Sequence, residues 1–111
     1  MAGREEEDPQ TPLTRILWIR PEAESDLSEA YSWYEEQSPG LGADFLLSFD
    51  AVQSSILRNP LQYPEVHQPV RRTLIRRFPY GVFFLVEDLR IIVFAVFHAS
   101  RDPQGWKDRL K

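Results

Sequence analysis

Cysteine is absent from the chain, which excludes a disulfide framework and any thiolate metal site. Histidine is nearly absent: His67 and His98 stand alone, with no compact carboxylate–histidine motif, so neither a metal nor another cofactor is expected. No G-x-S-x-G turn and no glycine-rich phosphate loop occurs. The opening residues, MAGREEEDPQTP, lack the apolar core of a signal peptide. No apolar run approaches the roughly 18–20 residues of a membrane helix. A cytoplasmic protein with no membrane partner is the expectation. Lysine is scarce too, confined to Lys107 and Lys111, so the sheet-forming part carries its positive charge on arginine.

What is present fits one domain. A chain of 111 residues can close a single core without staples. Its net charge of −4 is uneven: Arg4 against Glu5, Glu6, Glu7 and Asp8 leaves −3 in the first eight residues and −1 in the remainder. Residues 1–12 therefore read as a disordered acidic tail and residues 13–111 as the folded domain. The whole is no polycation for nucleic acid, although one face could be basic.

The most informative stretch is residues 70–101, VRRTLIRRFPYGVFFLVEDLRIIVFAVFHASR. Two arginine pairs, Arg71–Arg72 and Arg76–Arg77, lead into two runs rich in β-branched and aromatic residues, broken only by Glu87-Asp88-Leu89-Arg90. That predicts an arginine-bearing strand followed by a hairpin. Upstream, RILWIR at 15–20 predicts a short strand with apolar residues on both faces, inside a sheet. Pro21 opens a helix whose dipole Glu22, Glu24 and Asp26 complement, with Ala23, Leu27, Ala30 and Tyr34 as its buried stripe. Ser38-Pro39-Gly40-Leu41-Gly42 ends it, and a second helix buries Phe45, Phe49, Val52 and Ile56 before Asn59-Pro60. So short a link makes the pair an antiparallel hairpin. Pro60, Pro64 and Pro69 predict a loop over 61–69, pinned by Tyr63, Val66 and His67. Asp102-Pro103 caps a short last helix anchored by Trp106 and Leu110.

The order β-α-α-β-β-β with a short C-terminal helix defines an α+β fold. An antiparallel helical hairpin covers one face of a small, mainly antiparallel sheet. Such a sheet normally alternates apolar with polar residues, yet residues 82–86 and 91–97 do not alternate at all. Two helices cover one face only. Each exposed Phe or Ile would forgo about 1.5–3 kcal/mol of burial, so the second face calls for Trp106 as a lid and for a partner besides, a second copy or another chain.

The segments PEAESDLSEAYSWYEEQSPGLGADF, ILRNPLQYP, VRRTLIRRFPYGVFF and VFAVFHASRDPQGW, in that order and spacing, resemble the ParE/RelE superfamily of bacterial type II toxins. Arg-Phe-Pro-Tyr at 77–80 and His-Ala-Ser-Arg-Asp at 98–102 are the most specific parts, and the likeness runs from Arg15 to the C-terminus. The resemblance implies a growth-inhibiting toxin of a toxin–antitoxin (plasmid stabilisation) system, neutralised when a cognate antitoxin wraps it. ParE-like members poison DNA gyrase by binding; RelE-like members cleave mRNA on the ribosome. The long helical hairpin and the His-x-x-Arg-Asp ending are closer to the ParE side. A non-toxic relative that only binds its partner is the further alternative.

On the RelE-like alternative, a metal-independent endoribonuclease, His98 would transfer protons. Arg72, Arg76 and Arg101 would hold phosphate oxygens, and Tyr80 would stack or donate. Against it stand the lack of a sheet lysine and of an evident general acid. A partner would meet Arg71, Arg72, Arg76 and Arg77 through acidic groups, and Phe84, Phe94 and Trp106 through apolar ones. The plainer readings are a structural His98, a capping Asp102, an Arg101 paired to a nearby acid, and arginines that blunt an edge strand.

Overall fold

The computed structural model describes residues 15–110; the acidic tail expected over residues 1–12 lies outside them. In chain order the elements are β1 (Ile16–Ile19), α1 (Pro21–Gln37), α2 (Leu41–Arg58), a 3-10 turn (Pro60–Gln62), β2 (Glu65–His67), β3 (Val70–Leu74), β4 (Tyr80–Glu87), β5 (Arg90–His98) and α3 (Gln104–Asp108). The fold is α+β. The five strands form one sheet in the order β1-β5-β4-β3-β2, parallel between β1 and β5 and antiparallel elsewhere.

Two expectations need correction here. The first strand is an edge strand, not an interior one: Ile16 is 55% and Trp18 54% exposed. Its two-faced apolar pattern arises because Leu17 and Ile19 pack against the helices while Ile16 and Trp18 face the other side. The segment expected as loop contains a fourth antiparallel partner, β2, which needs only three residues between Pro64 and the cis Gln68–Pro69 bond.

Both helices bury the stripes their spacing dictates. Ala23, Leu27, Ala30 and Tyr34 of α1 meet Phe45, Phe49, Val52 and Ile56 of α2 over Val82, Phe84, Ile91, Val93 and Val96 of the sheet. Glu35 fastens the hairpin, its carboxylate accepting the N–H groups of Gly40 (2.9 Å) and Gly42 (3.0 Å) at the start of α2. An anion there satisfies orphan donors and complements the helix dipole.

The second face is closed by the chain's own residues, which overturns the expectation of an open one. Val70, Phe83, Phe94, Ala95, Phe97 and Trp106 form a second buried cluster, flanked by Leu85 and Leu110. The chain escapes alternation through a bulge: Phe83 pairs with Ala95 and Phe84 with Val93, so Phe94 is an extra residue on β5. Phe94 and Ala95 thus share one face, while Val93 and Val96 share the other. Trp106 stacks on Phe83 with ring centroids 4.7 Å apart, and Gly105 lets α3 approach this closely, because a Cβ there would lie 2.9 Å from the Phe97 ring. Of the apolar residues expected to meet a partner, Phe84 (0% exposed) points to the helices, whereas Phe94 (0%) and Trp106 (5%) are interior to the second cluster. This face stays open at the β1 margin and beside α3.

Candidate functional site

A groove of about 330 Å³ opens between the β3–β4–β5 end of the sheet and α3. Arg72 and Leu74 come from β3, Gly81 and Phe83 from β4, Phe97 and His98 from β5, and Arg101, Trp106 and Lys107 from the C-terminal segment. Alternation along β3 sends Arg72 to this face and Arg71 to the other side of the pleat. Gly81 supplies the floor: a Cβ there would stand 3.2 Å from the Arg72 Cδ, so the arginine stem crosses β4 only over a glycine. The lining holds Arg72, Arg101 and Lys107 and no carboxylate. It is therefore suited to an anion.

Three of the five residues expected to act in catalysis, Arg72, His98 and Arg101, meet here. Arg101 is restrained from two sides, its guanidinium carbon 3.7 Å from the Phe97 ring centroid and Nη1 3.8 Å from the Asp26 carboxylate. His98 accepts at Nδ1 from the backbone N–H of Ser100 (3.0 Å), with Ser100 Oγ at 2.8 Å from the same nitrogen. A backbone N–H only donates, so the neutral ring carries its proton on Nε2. Tyr80 touches His98 edge to face (5.2 Å between centroids) but is packed against the helical core. Burial first, then Tyr34, Asp26 and Glu29, push its phenol above the ordinary value, so it is a neutral hydroxyl and no base at neutral pH.

Arg76 is elsewhere. It lines a separate groove of about 420 Å³ between α2 and β3, with Arg77, Asp44, Ser48, the exposed Leu47 and Leu74. Arg77 sits in the β3–β4 turn at φ 74°, its Nη2 3.9 Å from Asp44. Arg71 is engaged internally: Nη1 donates to the Tyr63 carbonyl at 2.6 Å, and Nη2 lies 3.8 Å from Glu65. It secures β2 and the preceding turn to the sheet.

Sequence reasoning missed Lys107, Asp26 and Arg109. Lys107 enters the groove because it follows Trp106 on α3; its position beside the one aromatic of the last segment was the available signal. Asp26 is buried and chelated by Arg109, through Nη1 to Oδ2 at 2.7 Å and Nη2 to Oδ1 at 3.0 Å. The hydrogen bond to Asp26 raises the Arg109 pKa, against the lowering effect of burial. A carboxylate adjoining the apolar stripe of α1 was the hint for this pair. Among the described residues no group of three potential ligands could hold a metal, and no helix is long and apolar enough to cross a membrane.

The profile of the ParE toxin of the type II toxin–antitoxin system, parDE, matches residues 17–103. Toxin ParE2 of Mycobacterium tuberculosis is 30% identical over 94 residues, 84% of this chain and 90% of that protein. Among solved structures, a chain of the chromosomal ParDE TA system from P. aeruginosa superposes with a TM-score of 0.69 at 18% identity, covering 77% of this chain and 96% of its own. The isolated E. coli RelE toxin gives 0.56 at 16% identity, with coverage of 87% and 99%. An E. coli RelE mutant in complex with an antitoxin RelBc peptide gives 0.55 at 13%, with coverage of 89% and 97%. At such identities the three structures speak to the fold.

Proposed function

The chain belongs to the ParE toxin family of type II toxin–antitoxin systems, and from that premise we propose that it is the cytoplasmic toxin of such a pair. A cognate protein antitoxin holds it inactive, and the free toxin inhibits DNA gyrase by binding, without breaking a bond. One observation carries the choice against cleavage: the groove lacks a general acid–base pair. Attack by an RNA 2′-hydroxyl needs one group to take its proton and another to protonate the departing 5′-oxygen. His98 has Nδ1 engaged by Ser100, Tyr80 holds its proton and packs in the helical core, and no carboxylate lines the groove. His98 is left as a lone proton carrier through Nε2, and one such group beside Arg72, Arg101 and Lys107 serves binding better than two concerted proton transfers.

The antitoxin surface follows from what is left exposed. Over β4 and β5 the second face offers the cation-lined groove described above, so the antitoxin meets instead the groove between α2 and β3, where Leu47 and Leu74 lie bare, Arg76 is exposed, and Arg77 has Asp44 at 3.9 Å. A second reading, ribosome-dependent mRNA cleavage, draws on Arg72, Arg101, Lys107 and His98 sharing one groove.

Induced expression with and without the antitoxin separates these readings. Gyrase-catalysed supercoiling should fall while mRNA stays intact, and His98→Ala should retain that inhibition. Discrete mRNA cuts on translating ribosomes, lost in His98→Ala, would replace the first reading by the second. Unimpaired growth with neither effect would leave a relative that only binds its partner.

A further inference from the structure

The two margins of the sheet are built differently. At one end, β2 has three residues, all of its side chains exposed, with Pro64 before it, Pro69 after it and Glu65 and His67 on it. These are the devices by which sheet edges are kept from pairing. Further along β5, past the end of β1, the Phe94 carbonyl is taken by Arg109 Nη1 (3.0 Å) and the Val96 N–H by Asp26 Oδ2 (2.9 Å). On β1 the charges and the proline stand only at the ends, Arg15 before it and Arg20-Pro21 after it, while the strand itself, residues 16–19, reads ILWI with no charged side chain.

Backbone direction is settled by the hydrogen bonds to β5. Ile16 N–H donates to the Leu89 carbonyl (2.8 Å) and Arg20 N–H to the Val93 carbonyl (2.9 Å). Alternation then turns the N–H and C=O groups of Leu17 and Ile19 outward. On the second face of the same strand, Ile16 (55% exposed) and Trp18 (54%) stand beside Leu89 (41%), continuing the apolar layer from the buried Ile92 to the margin. Large apolar side chains and backbone groups with no strand partner among the described residues thus coincide on one edge.

We propose that two copies of this chain pair through the outer edges of β1, antiparallel, about a twofold axis at Leu17, to make one continuous sheet across both. Self-complementarity argues for a second copy as the occupant. With Leu17 opposite Leu17 of the other copy, outward-facing Arg15, Leu17 and Ile19 exchange backbone hydrogen bonds with Ile19, Leu17 and Arg15 across the axis. Ile16 then falls opposite Trp18 as a non-hydrogen-bonded pair, the arrangement in which cross-strand side chains are closest. Both stay on the same face. A shift of one residue would set Arg15 against Arg20 and turn the helix-facing side chains toward the opposite side. This inference concerns assembly and does not depend on the toxin reading.

Sedimentation of the full-length chain tests it, with two chains per particle expected. Trp18→Lys and Ile16→Lys, at positions more than half exposed, should leave the circular dichroism spectrum unchanged and raise the dimer dissociation constant by about 30-fold or more, as for the loss of a hot-spot side chain. Because the chain has no cysteine, the double variant Ile16→Cys/Trp18→Cys should oxidise to a reducible covalent dimer that neither single variant forms. A chain that sediments as a monomer overturns the proposal, whether its own N-terminal segment or nothing covers the edge. So does a dimer that Trp18→Lys leaves intact, or a double variant that does not cross-link.

Discussion

Arg109 and Asp26, 83 residues apart in sequence, together take the place of the strand residues that β1 does not supply. Where β1 ends, the bulge at Phe94 turns a carbonyl and the Val96 N–H toward the open edge of β5; Arg109 donates to the first and Asp26 accepts from the second. The guanidinium and carboxylate then close on each other in two hydrogen bonds. One ion pair thereby ties α1, β5 and the end of the chain together. Removing one member leaves the other short of charge compensation: Asp26→Ala leaves a largely buried guanidinium on the Phe94 carbonyl, and Arg109→Ala leaves a buried carboxylate with the Val96 N–H and the more distant Arg101 at 3.8 Å. Each single change should cost about 3 kcal/mol of unfolding free energy in urea titration. The double variant should lose clearly less than the sum of the two.

The lid over the second face makes a separate prediction. Trp106 is buried against Phe83 and Phe94, so Trp106→Ala should lose about 3–5 kcal/mol and gain binding of an apolar dye such as ANS. Gly105→Ala tests the same contact from the other direction. Its methyl would press on the Phe97 ring from 2.9 Å, while Arg101 and Arg109 lie over that ring at 3.7 and 4.8 Å. Overpacking of that kind costs about 1–3 kcal/mol, measured as a lower urea midpoint with the dye signal unchanged.

The helical hairpin and the three long strands were legible because each obeys a simple period. Ala23, Leu27, Ala30 and Tyr34 repeat at helical spacing, and their burial follows from it. Residues 91–97 were legible as strand but not as to facing, because the Phe94 bulge breaks the period of two. The same absence of alternation that suggested a missing partner instead reflects two cores sharing one strand. The groove was half legible. Arg72, His98 and Arg101 were selected by type and position, yet Arg72 and Arg76, four residues apart, were taken together although the β3–β4 turn sends them to different grooves. Asp26 was read as a dipole partner since a local rule explained it; its real partners, Val96 and Arg109, are too distant in sequence for any local rule to reach.

Alkaline pH offers a third measurement. Burial raises the Tyr34 phenol pKa above its ordinary 10.0, and burial followed by neighbouring Tyr34, Asp26 and Glu29 raises that of Tyr80. In both cases the folded chain holds its proton more tightly than the unfolded one. Their contribution is fully present below pH 10 and is lost as pH rises through the folded values, because the unfolded chain ionises first. Urea-derived stability should therefore decline from about pH 10 upward. Tyr80→Phe should flatten part of that slope.

Adjacent arginines on β3 should respond in opposite ways. Arg71 donates to the Tyr63 carbonyl at 2.6 Å and is only partly exposed, so Arg71→Ala should cost about 1.5–3 kcal/mol, the range for a hydrogen bond from a charged donor. Its loss should free the 61–67 segment, read as faster amide hydrogen exchange at β2. Arg72 projects into the groove with its stem over Gly81. Arg72→Ala should therefore stay within about 0.5 kcal/mol of the parent stability, as exposed substitutions do. What it should lose is affinity for an anionic ligand: inorganic phosphate or a short oligonucleotide titrated against the Trp106 fluorescence would bind more weakly and with a shallower salt dependence. Equal stability losses at the two positions, or unchanged anion binding in Arg72→Ala, would contradict the division of labour that the pleat of β3 imposes.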